Sequence, residues 1–279
     1  MTIPAGSAWP VGLALLAGAG IGWAVRGFLA RRTAASVRAL EGELRRKDED
    51  LKAAEALLAE TSLTDALTGV HNQRFVDAAI GTLLAPARRA TREGDPPPEH
   101  VALMLAEVDD FDRIDAGGRE AGDALLRDTA RALLPFVRGG TVVARWTETA
   151  FLVVARIRFA GEARALAARL RASVAGNVRT GEDVRPVTLS LGFSIEPLSR
   201  AHPHLASFRD HLALVDAALR RAQQQGGNRA VGWRANDEAF ERAIATRGEA
   251  GVAALLRTDP AAAEVEGLIS QAVERRDPA

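Results

Sequence analysis

The chain has 279 residues, with 36 Lys+Arg against 36 Asp+Glu and 47% hydrophobic residues. That balance supports one or two globular domains plus accessory segments and supplies none of the broad positive field of a nucleic-acid binder, so no nucleic acid is expected as a partner. The absence of cysteine excludes disulfides, thiolate zinc sites and a cysteine nucleophile.

The first segment, residues 1–32, reads as a transmembrane anchor. Thr2 to Val25 carries no charge and Arg26, Arg31 and Arg32 follow it. About 20 apolar helical residues span a bilayer core, and the positive-inside rule then puts the N-terminus outside and everything after the arginines in the cytoplasm. A cleaved signal peptide would need a basic start, which is missing. Gly18 and Gly22 form a small-xxx-small pair suited to close helix packing.

Residues 33–61 read as a helical coiled-coil linker. Val37, Leu44, Leu51 and Leu58 fall at one heptad position and Leu40, Lys47 and Ala54 at the other. The seam predicts a homodimer held parallel by its anchors; a lone amphipathic helix lying on its own domain is the alternative.

From residue 62 to 233, helical and strand patterns alternate. Val101 to Val108, Thr141 to Trp146, Phe151 to Ile157 and Pro186 to Ile195 read as strands. Gly122 to Val137, Ala160 to Val174 and Leu212 to Gln225 read as helices. The expected fold class is α/β, with helices packed on a central sheet. Residues 234–279 lie beyond this pattern. Glu238 to Leu256 and Ala261 to Val273 read as two amphipathic helices split by Thr258-Asp-Pro260, which either pack back on the domain or offer a partner surface.

Several motifs in this span resemble one family. Asp65-Ala-Leu-Thr-Gly-Val-His-Asn-Gln-Arg74 opens it. Glu107-Val-Asp-Asp-Phe111, Gly118-Arg-Glu-Ala-Gly-Asp123, Val187-Thr-Leu-Ser-Leu-Gly192 and Gly226-Gly-Asn-Arg229 follow in order. Together they are similar to the GGDEF-domain, diguanylate cyclase-like family of bacterial signalling proteins. The resemblance implies a palm-like sheet wrapped by helices. It also implies chemistry in which two GTP molecules, one per domain of a dimer, condense to cyclic-di-GMP with magnesium held by two carboxylates.

The signature is degraded here. The hairpin reads Arg145-Trp-Thr-Glu-Thr-Ala-Phe151. The resemblance puts Thr147 and Glu148 on the family's two glycines, Thr149 on its Asp and Ala150 on its metal-binding Glu, with Phe151 retained. Glu107 stands at the first metal carboxylate and Asp109 two residues on; these are the vestigial metal candidates. Gln223 stands at the family's phosphate-binding Lys and Gly227 at its Arg. Asp115 and Asp123 align with guanine contacts, and Arg138 with the product-inhibition motif, whose Asp is replaced by Thr141. No catalytic residue is therefore expected and no cofactor, with Mg2+ required only if a nucleotide binds.

The reading is a catalytically inactive module of the bacterial inner membrane, serving cyclic-di-GMP signalling by binding other signalling proteins, with GTP or cyclic-di-GMP as candidate ligands. An active cyclase using Glu107 and Glu148, or a membrane adaptor without a nucleotide role, are the alternatives. Asp65, Thr68 and Asn72 are expected to brace the opening turn, and Trp146 to serve the core ahead of stacking a base.

Overall fold

The computed structural model describes residues 37, 40–54, 61–88, 100–115, 118–137, 139–180, 185–199 and 202–273. The chain divides into two compact units at Ser62 and Leu63. In the first unit, residues 40–54 are helical. Val37, Leu40, Leu44 and Leu51, the expected seam, are all more than half exposed. Lys47 pairs with Glu43 at 3.4 Å and Lys52 with Asp48 at 2.6 Å on the same helix. Leu58 and the apolar stretch from Thr2 to Val25 lie outside the described residues, and no described helix is long and apolar enough to cross a membrane.

The second unit is built on one mixed sheet. Its elements are β1 (His71–Asn72), α1 (Gln73–Arg88), β2 (His100–Val108), α2 (Phe111–Asp115), α3 (Arg119–Leu133), β3 (Val142–Arg145), β4 (Ala150–Ile157) and α4 (Ala160–Asn177). After a small β5–β6 ribbon (Arg179–Thr180, Arg185–Pro186) come β7 (Leu189–Glu196), α5 (Phe208–Gln224), β8 (Ala230–Ala235), α6 (Asp237–Thr258), α7 (Pro260–Val265) and β9 (Ile269–Val273). The seven strands run β1-β3-β4-β2-β7-β8-β9.

β2 sits at the centre and is buried on both faces, which explains its unbroken apolar run. Its side chains alternate across the pleat. Val101, Leu103 and Leu105 pack under α1 and α5, while Ala102, Met104, Ala106 and Val108 pack under α3 and α4. Extending that period puts Glu107 and Asp109 on the α1–α5 side, at the strand's C-terminal end. Gly192 on β7 is where α5 comes closest. A Cβ there would stand 1.9 Å from the Val215 carbonyl oxygen, so only glycine fits.

The C-terminal segment departs from expectation. It packs back on the domain, and its second stretch is a short helix followed by a strand. Gly267, at φ 74°, ends the helical turn after α7 and frees Ile269–Val273 to pair with β8. Phe240, Val252, Leu256, Leu268 and Ile269 then bury against Leu214, Ala218 and Trp233. Ion pairs fasten the same joint: Arg257 to Asp210 at 2.6 Å and Arg221 to Glu264 at 2.7 Å. The stretch read as one helix from Glu238 to Leu256 is bent at Gly248, φ 70°.

Candidate functional site

Two hairpin ends meet at the C-terminal end of β2. In the sheet register Glu107 lies opposite Ala150 of β4 and Ser190 of β7. The residue facing Glu107 across the strands is therefore a methyl group, 3% exposed. Around them opens a cleft of about 670 Å3 lined by Glu107, Asp109, Asp110, Thr149, Gln223 and Gly227, among others.

Both Glu107 carboxylate oxygens are engaged by neutral donors. The Thr149 hydroxyl donates to Oε1. The Gln223 side-chain amide donates to Oε2 over 2.8 Å. Asp109 is engaged more fully: Thr188 Oγ1 donates at 2.7 Å, Ser190 Oγ at 2.6 Å and the Asn228 backbone N–H at 2.8 Å. Gly227, at φ 66°, lets the loop after α5 come this close, since a Cβ would sit 3.0 Å from Asp109 Oδ1. Asp109 thus ties β7 and the loop after α5 to β2. Neither carboxylate forms an ion pair with a basic side chain among the described residues. No group of three or more His, Asp or Glu side chains converges as a metal cage there either. Of the carboxylates expected at the metal site, Glu107 accepts one hydrogen bond on each oxygen and Asp109 accepts three, all from neutral donors, and the residue opposite Glu107 is Ala150.

The signature hairpin has rebuilt its turn without glycine. Thr147 Oγ1 accepts from the Ala150 N–H at 3.0 Å and from Thr149 N–H at 3.4 Å. Serine and threonine hydroxyls close such turns by this contact. Neither Thr147 nor Glu148 has a positive φ, and both side chains are exposed. Arg145 grips the turn from below. Its Nε donates to the Thr147 carbonyl at 2.9 Å, its second terminal nitrogen to the Glu148 carbonyl, and its guanidinium lies 6.0 Å over the Phe151 ring. Asp65 stands 3.8 Å from the same guanidinium. Asp65 also accepts from the Thr68 N–H and hydroxyl, and Asn72 caps α1 through the Phe75 N–H at 3.1 Å. The opening motif and the signature hairpin are thereby one braced unit. Trp146 packs edge-on to Phe208, ring centres 6.0 Å apart, as a core residue.

Asp123, expected as a guanine contact, is not among the residues that line this cleft. Asp123 lies on α3 and faces Arg127 at 4.0 Å on its own helix. Asp115 closes α2, and Arg138 lies outside the described residues. Thr141 instead lines a second cleft, of about 590 Å3, with Arg156, Arg158 and Arg169. Sequence reasoning missed these three arginines. They come from β4, the turn after it and α4, so no linear motif joins them. Arg169 stacks over Phe136 at 5.9 Å. Arg158 pairs with Glu162, and its backbone N–H bond with the nearby cations holds that carboxyl below its ordinary range.

The fold and cleft define an α/β domain on a seven-stranded mixed sheet, with a polar cleft at the C-terminal end of its central strand. Comparison with known proteins gives the family. The profile described as "Diguanylate cyclase, GGDEF domain" matches residues 62–229, and the chain belongs to the GGDEF family. The response regulator PleD of Caulobacter vibrioides is 31% identical over 177 residues, 62% of this chain and 36% of PleD. The probable diguanylate cyclase DgcC of Escherichia coli is 27% identical over 169 residues, 60% of this chain and 42% of DgcC. The chain thus spans well under half the length of either relative. Among solved structures, the coiled coil and GGDEF domain of Caulobacter crescentus DgcB with c-di-GMP superposes with TM-score 0.53 at 21% identity, over 71% of this chain and 99% of that one. The GGDEF domain of Pseudomonas aeruginosa FimX gives 0.52 at 18%, over 61% and 99%. At these identities the likeness is one of fold.

Proposed function

We propose that this chain is a catalytically inactive GGDEF module of cyclic-di-GMP signalling that acts by binding other signalling proteins. The observation that carries the reading is the closed state of Glu107. Its two oxygens accept from Thr149 and Gln223, and Ala150 stands opposite. Phosphoryl transfer depends on cations that neutralise developing charge, a contribution worth powers of ten in rate. Here the metal carboxylate is a methyl, and the positions of the family's two phosphate-binding cations hold an amide and a glycine. We further place the module at the bacterial inner membrane, tethered by the apolar N-terminal stretch, and as a homodimer through the exposed seam of Val37, Leu40, Leu44 and Leu51.

A nucleotide role is favoured by one feature, the cleft of Arg156, Arg158 and Arg169. Guanidinium groups suit phosphate oxygens, and c-di-GMP is bound by the DgcB domain of related fold. Titration calorimetry of the full chain with c-di-GMP and with GTP plus magnesium tests the reading. The module binds one or neither and turns over neither. Heat of continuous turnover with GTP would refute it.

A further inference from the structure

The helix of the first unit leaves an apolar seam open. Val37, Leu40, Leu44 and Leu51 are each more than half exposed, and they recur at the heptad spacing of a coiled-coil interface. The charges beside the seam decide what can cover it. With Val37, Leu44 and Leu51 at a and Leu40 and Lys47 at d, positions e and g hold Glu41, Glu43, Asp48 and Asp50. All four are exposed, and all four are acidic. The bases Arg45, Arg46 and Lys52 fall at b and c, on the outward face. Charge is therefore sorted by face along this helix. Helical geometry alone puts the carboxylates along both margins of the seam.

A second copy matches this surface poorly. In a parallel pair, g of one helix meets e of the next heptad on the other, so Glu43 meets Asp48. Position d meets d, so Lys47 meets Lys47 inside the seam. On its own helix Lys47 stands 3.4 Å from Glu43, and Lys52 stands 2.6 Å from Asp48. Both pairs are exposed to solvent, so they offset little of the repulsion. Like charges set face to face are how coiled coils reject a partner. The homodimer proposed above is thus the weak state of the seam, open to exchange.

We infer that the seam binds a helix of a different protein, one whose heptads carry lysine or arginine at e and g and a glutamate at the d position opposite Lys47. The basic margins pair with Glu41, Glu43, Asp48 and Asp50, and the glutamate pairs with Lys47. Such flanking charges set partner choice and orientation in coiled coils. The inference rests on the protein-binding reading above and supplies the chemistry of the partner's helix.

The test uses two labelled synthetic helices of roughly four heptads, titrated with the full chain and followed by fluorescence anisotropy. Both carry valine at a, leucine at d and glutamate opposite Lys47. One has lysine at every e and g, the other glutamate. The lysine helix should bind at least about tenfold tighter in about 50 mM salt, and the gap should narrow in about 1 M salt. The variant Glu41→Lys/Glu43→Lys/Asp48→Lys/Asp50→Lys should reverse the preference while melting at the parent temperature. Equal binding of the two helices, no binding of the lysine helix, or an unchanged preference in the variant overturns the inference. Turnover of GTP would refute the reading of an inactive module and leave these outcomes as they are.

Discussion

Gln223 of α5 donates its side-chain amide to Glu107 of β2 over 2.8 Å, across 116 residues of sequence. A neutral donor thus engages Glu107, one of the two carboxylates expected from the sequence to be vestigial metal ligands. The Thr149 hydroxyl completes the arrangement from the other side. Together these two bonds make a hydrogen-bonded joint between β2, the signature hairpin and α5.

That joint predicts indifference to magnesium. A cation present at about one hundred times its dissociation constant would stabilise the fold by about 2.7 kcal/mol. Thermal melts of the full chain with about 10 mM Mg2+ and without it should agree within about 1 °C. A clear rise that disappears in Glu107→Ala would restore Glu107 as a metal ligand.

Asp109 predicts the opposite sensitivity. Three donors from two segments converge on its carboxylate. Asp109→Ala leaves them unsatisfied, and each orphaned group costs about 1–3 kcal/mol where it is shielded from water. Denaturant midpoints should fall by the equivalent of about 2 kcal/mol or more. Glu107→Gln keeps its acceptor oxygen and should cost less than about 1 kcal/mol.

Gly192 tests the packing that places α5, and with it Gln223. Its Cβ would meet the Val215 carbonyl oxygen at 1.9 Å and the Leu219 nitrogen at 2.4 Å, both backbone atoms. Gly192→Ala should therefore destabilise the domain by about 3 kcal/mol or prevent folding, as read by circular dichroism. A native melt for that variant would contradict the packing.

Acid sensitivity follows from a buried cluster on the same face. Glu196, fully buried, accepts from Arg88 Nε at 2.7 Å and lies against His211 Nε2, while Ser194 Oγ stands 2.8 Å from His211 Nδ1. Burial by itself raises the Glu196 carboxyl pKa, but its bonds to His211 and Arg88 outweigh it and the net shift is downward from 4.5. Asp210 is likewise lowered from 3.8: burial opposes the shift, and Ser207 and Arg257 carry it. A depressed folded value contributes stability that is complete above the ordinary value and is lost as pH falls below it. Unfolding free energy should hold level down to about pH 5 and drop below about pH 4.5. Glu196→Gln should cost about 3 kcal/mol near neutral pH, by leaving the half-buried Arg88 guanidinium without its carboxylate, and should flatten the acid limb.

The sequence made some of this legible and hid the rest for identifiable reasons. β2 and β4 announce themselves as apolar runs because both are buried on two faces. The replacement of the signature residues is plain in Thr147 to Ala150. The bonds that engage Glu107 are not, because Thr149 and Gln223 reach it across 42 and 116 residues. The β9 segment reads as helix in the sequence because its apolar residues also fit a helical spacing. The turn at Gly267 and the open edge of β8 decided otherwise. Arg156, Arg158 and Arg169 are assembled only by the fold.

The central claim is tested most directly by product analysis. The full chain is incubated with GTP and Mg2+, and the mixture is separated by chromatography, with the Glu107→Ala variant alongside. No cyclic-di-GMP above the level of the variant is expected. Cyclic-di-GMP that accumulates with the parent chain and vanishes with Glu107→Ala would mean that Glu107 still serves catalysis, and the account of an inactive module would be wrong.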